Sequence, residues 1–161
     1  MSKLLAMFVA TLYQWLFLVH IVAAMVWLGG AVFVAALAAR ALRSDDVAEI
    51  GRFVRGLRTT APIVLAPAAV TVAGFGVWLV LTSAAWSFDL LWVQVALGLF
   101  AASFLIGAAY LSRRAIAAER AAEAGDARAA RRQLRGWGRG YGVILTLLLV
   151  TTWDMVFKPG L

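Results

Sequence analysis

Long uncharged, apolar stretches alternate with short arginine-bearing ones along the chain, and that pattern predicts membrane-spanning helices. Crossing about 30 Å of hydrocarbon takes roughly 20 helical residues. Four stretches suit that task, at about 12–37, 61–82, 90–111 and 141–157. None has the strict polar–apolar alternation of a barrel strand, so each satisfies its own backbone in lipid as a helix. The expected fold class is an all-α integral membrane protein, a four-transmembrane-helix bundle with helical cytoplasmic connections and a single transmembrane domain over 1–161. The uncharged run from Leu4 to Ala39 far exceeds a signal-peptide core of about 7–15 residues, so it reads as a membrane anchor.

Charge sets the expected orientation. The first connection carries Arg40, Arg43, Arg52, Arg55 and Arg58 against Asp45, Asp46 and Glu49. A later one carries Arg113, Arg114, Arg120, Arg128, Arg131, Arg132, Arg135 and Arg139 against Glu119, Glu123 and Asp126. Between spans two and three, residues 83–89 contain no cation. The positive-inside rule then places both basic connections in the cytoplasm and both termini outside. Alanine- and arginine-rich usage suggests a bacterial source, hence a multi-pass protein of the bacterial inner (cytoplasmic) membrane.

Within the first connection, Asp46 and Glu49 have capping-box spacing, and Val47, Ile50, Val54 and Leu57 recur at helical intervals. An amphipathic helix lying on the inner leaflet is expected there. Gly125-Asp126 should break the helix of the second basic connection and let it fold back. Pro62 is expected at the start of the second span, with Pro67 kinking its interior.

Composition narrows the chemistry. Hydrophobic residues make up 64% of the chain, mean hydropathy is +0.90, and 14% of residues are charged, where soluble proteins carry about 25%. Seven tryptophans suit two membrane–water interfaces. With no cysteine, thiolate metal sites, Fe–S clusters and disulfides are excluded. His20 is the single histidine, so histidine chemistry is limited to one ligand per subunit. The net charge of +7 sits beside apolar spans, which points to the lipid bilayer as partner and not to nucleic acid.

Counting helical rise from the basic rims locates the polar groups of the spans. His20 falls roughly 30 Å above Arg40, Gln94 roughly 28 Å above Arg113, and Asp154 and Lys158 roughly 22 and 28 Å above Arg139. These groups are therefore expected at one depth near the outer edge of the hydrocarbon. Asp154 and Lys158, four residues apart, should share a face and pair. Ionisable groups inside a span usually mark a functional site. Ala23 and Ala24 beside His20 leave room for a flat ligand, with Phe17 and Trp27 able to pack its edges. A neutral imidazole is a good axial ligand for haem iron. A second axial position would be open or filled by Met25, Met155 or Lys158, or by the histidine of a second subunit.

The first-span pattern of Trp15, His20, Trp27, Gly29 and Gly30 resembles a membrane superfamily. That superfamily includes copper-resistance-D-like proteins and HemJ-type protoporphyrinogen oxidases. The ending Met155-Val156-Phe157-Lys158-Pro159 resembles the C-terminus of the same group. Overall the chain is similar to a branch of predicted integral membrane proteins. The resemblance implies that His20 matches a histidine that binds haem b and that Lys158 matches the C-terminal lysine. The chain departs from the HemJ type at Phe17, where a lysine is usual, and around Ala36, where an arginine and a second histidine are usual.

The leading expectation is a haem-b-binding membrane protein with an electron-transfer or redox role near the outer leaflet. In it His20 ligates iron, Trp27 packs the cofactor, Asp154 and Lys158 tune charge or meet a propionate, and Gln94 hydrogen-bonds nearby. One alternative is a non-catalytic accessory subunit within a homodimer or larger membrane complex. Another is copper or small-solute transport, against which the lack of ionisable groups in the inner half of each span counts.

Overall fold

The computed structural model describes residues 3–160, with side chains from 11 to 160. Helix α1 runs over Lys3–Arg43. The second long helix joins α2 (Val47–Thr60) to α3 (Ala66–Thr82) through a π-turn at Ala61–Leu65. The third joins α4 (Leu91–Leu105) to α5 (Ser112–Glu123) through a π-turn at Ile106–Leu111. The fourth is α6, Ala127–Phe157. Among the described residues, four helices are thus long and apolar enough to cross a membrane: Thr11–Arg43, Val47–Thr82, Leu91–Glu123 and Ala127–Phe157. The protein is all-helical, and each apolar stretch read from the sequence lies within one of them to within a residue.

The second helix corrects two expectations. Val47–Thr60 does not end before the span; it continues into it, so Pro62 lies inside a continuous helix. Pro67 cannot donate back to the preceding turn, and the wide π-turn just before it absorbs that missing bond. Nor does α2 present its apolar stripe to lipid. Ile50 and Val54 are fully enclosed in the main core, packed with residues of α5 and α6.

That core explains the packing. Along α6 the buried positions are Ala130, Leu134, Trp137, Tyr141, Ile144 and Leu148, spaced alternately four and three apart. Ala31, Val34, Ala38 and Ala41 repeat the rhythm on α1. Such a 3.5-residue seam is what lets long helices stay in contact with shallow crossing. Small alanines on α1 and α5 let α6 approach each of them closely, and Trp137 of α6 is buried in the core. Its ring stacks on Tyr141 at 4.5 Å and meets Phe53 edge-on at 5.6 Å. Most of this core sits in the arginine-rich half of the molecule.

Helix ends follow local chemistry. Asp46 caps α2 by accepting from the Ala48 amide at 2.9 Å. The reciprocal half of the expected capping box is absent: the Asp46 amide donates to Ser44 Oγ at 3.2 Å, while Glu49 faces Arg40 and Arg52. Bonding by the Ala48 amide, aided by Arg52, holds the Asp46 carboxyl below its usual range. Gly125, at φ +73°, makes the tight reversal, and Asp126 caps α6 through the Ala129 amide at 2.9 Å.

In space, α1 packs along α3 and α6, and α6 packs along α4 and α5. The span order is therefore α3, α1, α6, α4. Helices α3 and α4 close on each other at the end opposite the arginines, where Val80 packs with Trp92 and Val93.

Candidate functional site

His20 projects from α1 toward α3, and it is 7% exposed. Its Nδ1 lies 2.9 Å from the carbonyl oxygen of Val72. A carbonyl only accepts, so Nδ1 must carry the proton and donate. In a neutral ring that leaves the lone pair on Nε2. The approach depends on Gly76, one turn after Val72. A Cβ at Gly76 would come within 3.0 Å of His20 Cε1 and 3.4 Å of Nδ1. Gly76 therefore supplies the space in which the ring lies.

Nearer the tryptophan-rich end, an aromatic cluster closes the bundle. Trp86 Nε1 donates to the Tyr13 hydroxyl at 3.3 Å. Trp86 and Trp92 meet edge to face at 5.3 Å. Above both rings sits the Lys158 ammonium, 5.4 Å from the Trp86 centroid and 5.8 Å from that of Trp92. Cation–π attraction of this kind contributes about 0.5–1 kcal/mol where water still reaches the charge. Lys158 itself ends α6: its φ is +45°, and its amide closes on the Asp154 carbonyl at 2.8 Å.

Asp154 is 1% exposed, and neither of its carboxylate oxygens has a hydrogen-bond partner among the described residues. The expected Asp154–Lys158 ion pair is therefore corrected. Lys158 leaves helical geometry at that residue, so the four-residue spacing no longer aligns the two side chains, and the ammonium goes to the indoles instead. Counting rise from the Tyr13–Trp86–Lys158 level puts Asp154 about 6 Å deeper and His20 about 10 Å deeper. Lys158, Asp154 and His20 therefore lie at successive depths and not at the single level expected.

Other candidates are placed apart. Gln94 is exposed, and its amide donates to the Phe88 carbonyl at 3.1 Å, bracing the loop before α4. Met25 is 68% exposed, about 140° around α1 from His20 by helical rotation. It is not brought to the imidazole. Met155 is partly buried beside Asp154. Trp27 lies two turns below His20 and packs on Phe100 of α4 at 5.4 Å.

Val72, Gly76, Tyr13, Trp86 and Trp92 complete these surroundings without having been singled out from the sequence as site residues. Gly76 carries no sequence signal beyond its small size, and a backbone acceptor such as the Val72 carbonyl carries none.

Four apolar helices carrying a buried histidine and a buried carboxyl define a polytopic helical membrane protein. The chain belongs to the family described as predicted integral membrane protein (DUF2269), whose profile matches residues 14–159. No curated protein and no solved structure matches the chain.

Proposed function

We propose that this is a haem-b-binding membrane protein with a redox role in the half of the bilayer opposite the arginines. The observation that carries the reading is the His20–Val72 hydrogen bond. Histidines that ligate metals commonly donate their other ring N–H to a carbonyl, which fixes the ring and raises its basicity. Here Nδ1 is so engaged, and Nε2 keeps the lone pair with which the ring would hold iron. The donor set thus fits haem iron on its histidine side. Bound haem would supply one-electron exchange. His20 would hold the iron and Lys158 would offer a cation to a carboxylate of the group, with Asp154 at a depth between them.

Similarity of the first span and of the Met155–Pro159 ending to copper-resistance-D-like and HemJ-type proteins supports the same reading. In this proposal the arginine-rich end faces the cytoplasm of a bacterial cell, as the positive-inside rule requires. Purification in mild detergent from haem-replete cells should give a Soret band that His20→Ala removes. A colourless preparation that stays unchanged on adding haemin would rule the proposal out.

A second reading, an accessory subunit of a larger complex, draws on α3. That helix packs chiefly on α1 and leaves Val70 and Leu81 exposed on its outer side. A stoichiometric partner co-purifying without any chromophore would favour it.

A further inference from the structure

The arginines of the two basic connections behave differently. In the first, Arg40, Arg52, Arg55 and Arg58 each face a carboxylate within 4.0 Å, while Arg43 has none among the described residues. In the second, Arg128, Arg132, Arg135 and Arg139 have no such partner among the described residues. These four lie at intervals of four, three and four residues, so they form one stripe along α6, and all are exposed.

The stripe lines a cleft of about 500 Å³ together with Arg114 and Arg131. Arg114 crosses from α5. It lies against Gly136, where a Cβ would come within 3.2 Å of its guanidinium, and donates to Gln133 Oε1 at 2.8 Å. Its guanidinium also lies 5.3 Å from the Tyr110 ring centroid. Arg131 is tied to the Ser44 carbonyl at 2.8 Å and also faces the Asp45 carboxylate at 3.8 Å. Two guanidinia are thus held in place, and four more converge with nothing to neutralise them. Orientation of the protein in the membrane asks only for positive charge on one side; it does not ask for a cavity.

The level of the cleft indicates its occupant. Arg139 is two residues before Tyr141, where the apolar run of α6 begins, and Tyr110 is one residue before the end of the apolar run of the third helix. The upper part of the stripe therefore stands at the membrane–water boundary, where lipid phosphates lie. From Arg128 to Arg139 the stripe extends about 16 Å, longer than one phosphate requires. Guanidinium forks match phosphate oxygens in pairs. We infer that this cleft between α5 and α6 binds the phosphate headgroup of an anionic phospholipid.

Thermal unfolding of the full chain in neutral detergent, followed by tryptophan emission, tests the assignment. The probes are cardiolipin, phosphatidylglycerol, phosphatidylcholine and inorganic pyrophosphate. Cardiolipin and phosphatidylglycerol should raise the melting temperature, and phosphatidylcholine should not. Replacing Arg132→Gln, Arg135→Gln and Arg139→Gln together should weaken the lipid midpoint roughly a hundredfold, about fivefold for each charge removed. These side chains are exposed, so the fold should survive. The triple Arg→Lys variant at the same positions keeps the charge but loses the forks, and should fall between the two. Replacing Arg40→Gln and Arg52→Gln should leave the lipid effect intact. An equal response to phosphatidylcholine would overturn the inference, as would equal loss in the Arg40/Arg52 variant. A shift given entirely by pyrophosphate would assign the cleft to a soluble anion and overturn it too.

Discussion

Gly76 of α3 lies against the edge of the His20 imidazole, so close that a methyl group there would sit 3.0 Å from Cε1. The glycine sets where the ring lies, and the Val72 carbonyl sets which nitrogen is protonated. Gly76→Ala should force the ring to give by a few tenths of an ångström. The expected loss of stability is about 1 kcal/mol, within the range for overpacked sites. Gly76→Val should cost more and separate α1 from α3. Thermal unfolding of the two variants checks the order; equal melting of all three proteins would contradict the packing described.

Glu119 and Arg58 are joined at 2.8 Å, but their environments differ: the Glu119 side chain is 9% exposed and that of Arg58 is 64% exposed. Removing the arginine leaves a buried carboxylate without a partner, whereas removing the acid leaves an arginine free to reach water. Arg58→Ala should therefore destabilise by about 2–3 kcal/mol and Glu119→Gln by about 1 kcal/mol. Combining the two should recover most of the larger loss. Denaturant or thermal unfolding of the three variants decides it.

At the start of α2, acid should act through Asp46. Its folded carboxyl is held below the usual 3.8 by the Ala48 amide first and by Arg52 second. The stabilisation is therefore present above pH 3.8 and lost as pH falls through the lower folded value. The Ala48 amide resonance should report this loss below pH 3.8. In Asp46→Ala the acid-dependent change should disappear.

Asp154 offers a prediction of opposite sign. A carboxyl group buried with no partner offsets none of its desolvation. Asp154→Asn and Asp154→Leu should melt no lower than the parent, with Asp154→Leu gaining about 1–3 kcal/mol. A marked fall in either would mean that the carboxyl has a partner in the membrane.

Hydropathy made the four spans legible because lipid imposes length and apolarity on each of them separately. The Gly125-Asp126 break was legible too, since a left-handed residue followed by a cap is local chemistry. The fate of Val47–Thr60 was not. Periodicity reveals that Ile50 and Val54 share a face, yet lipid and the Ala118 surface of α5 are equally apolar covers. Pro62 reads as a helix start and Pro67 as a kink because a sequence does not announce a π-turn. Asp154 and Lys158 are correctly spaced for pairing only if the helix continues, and it stops at Lys158. Around His20, depth counting placed the ring level with Lys158, whereas it lies about 10 Å deeper, close to two turns. The partners it missed were a main-chain carbonyl and the empty space over a glycine, neither of which belongs to a residue pattern.

The chain contains a single histidine, so nitrogen-15 spectra of histidine-labelled, tag-free protein report on His20 alone. Without haem, the account predicts a neutral ring protonated at Nδ1, hydrogen-bonded to a carbonyl, with the lone pair on Nε2. Adding haemin should broaden or shift the Nε2 resonance far more than that of Nδ1. A proton found on Nε2, or a spectrum indifferent to haemin, would contradict it.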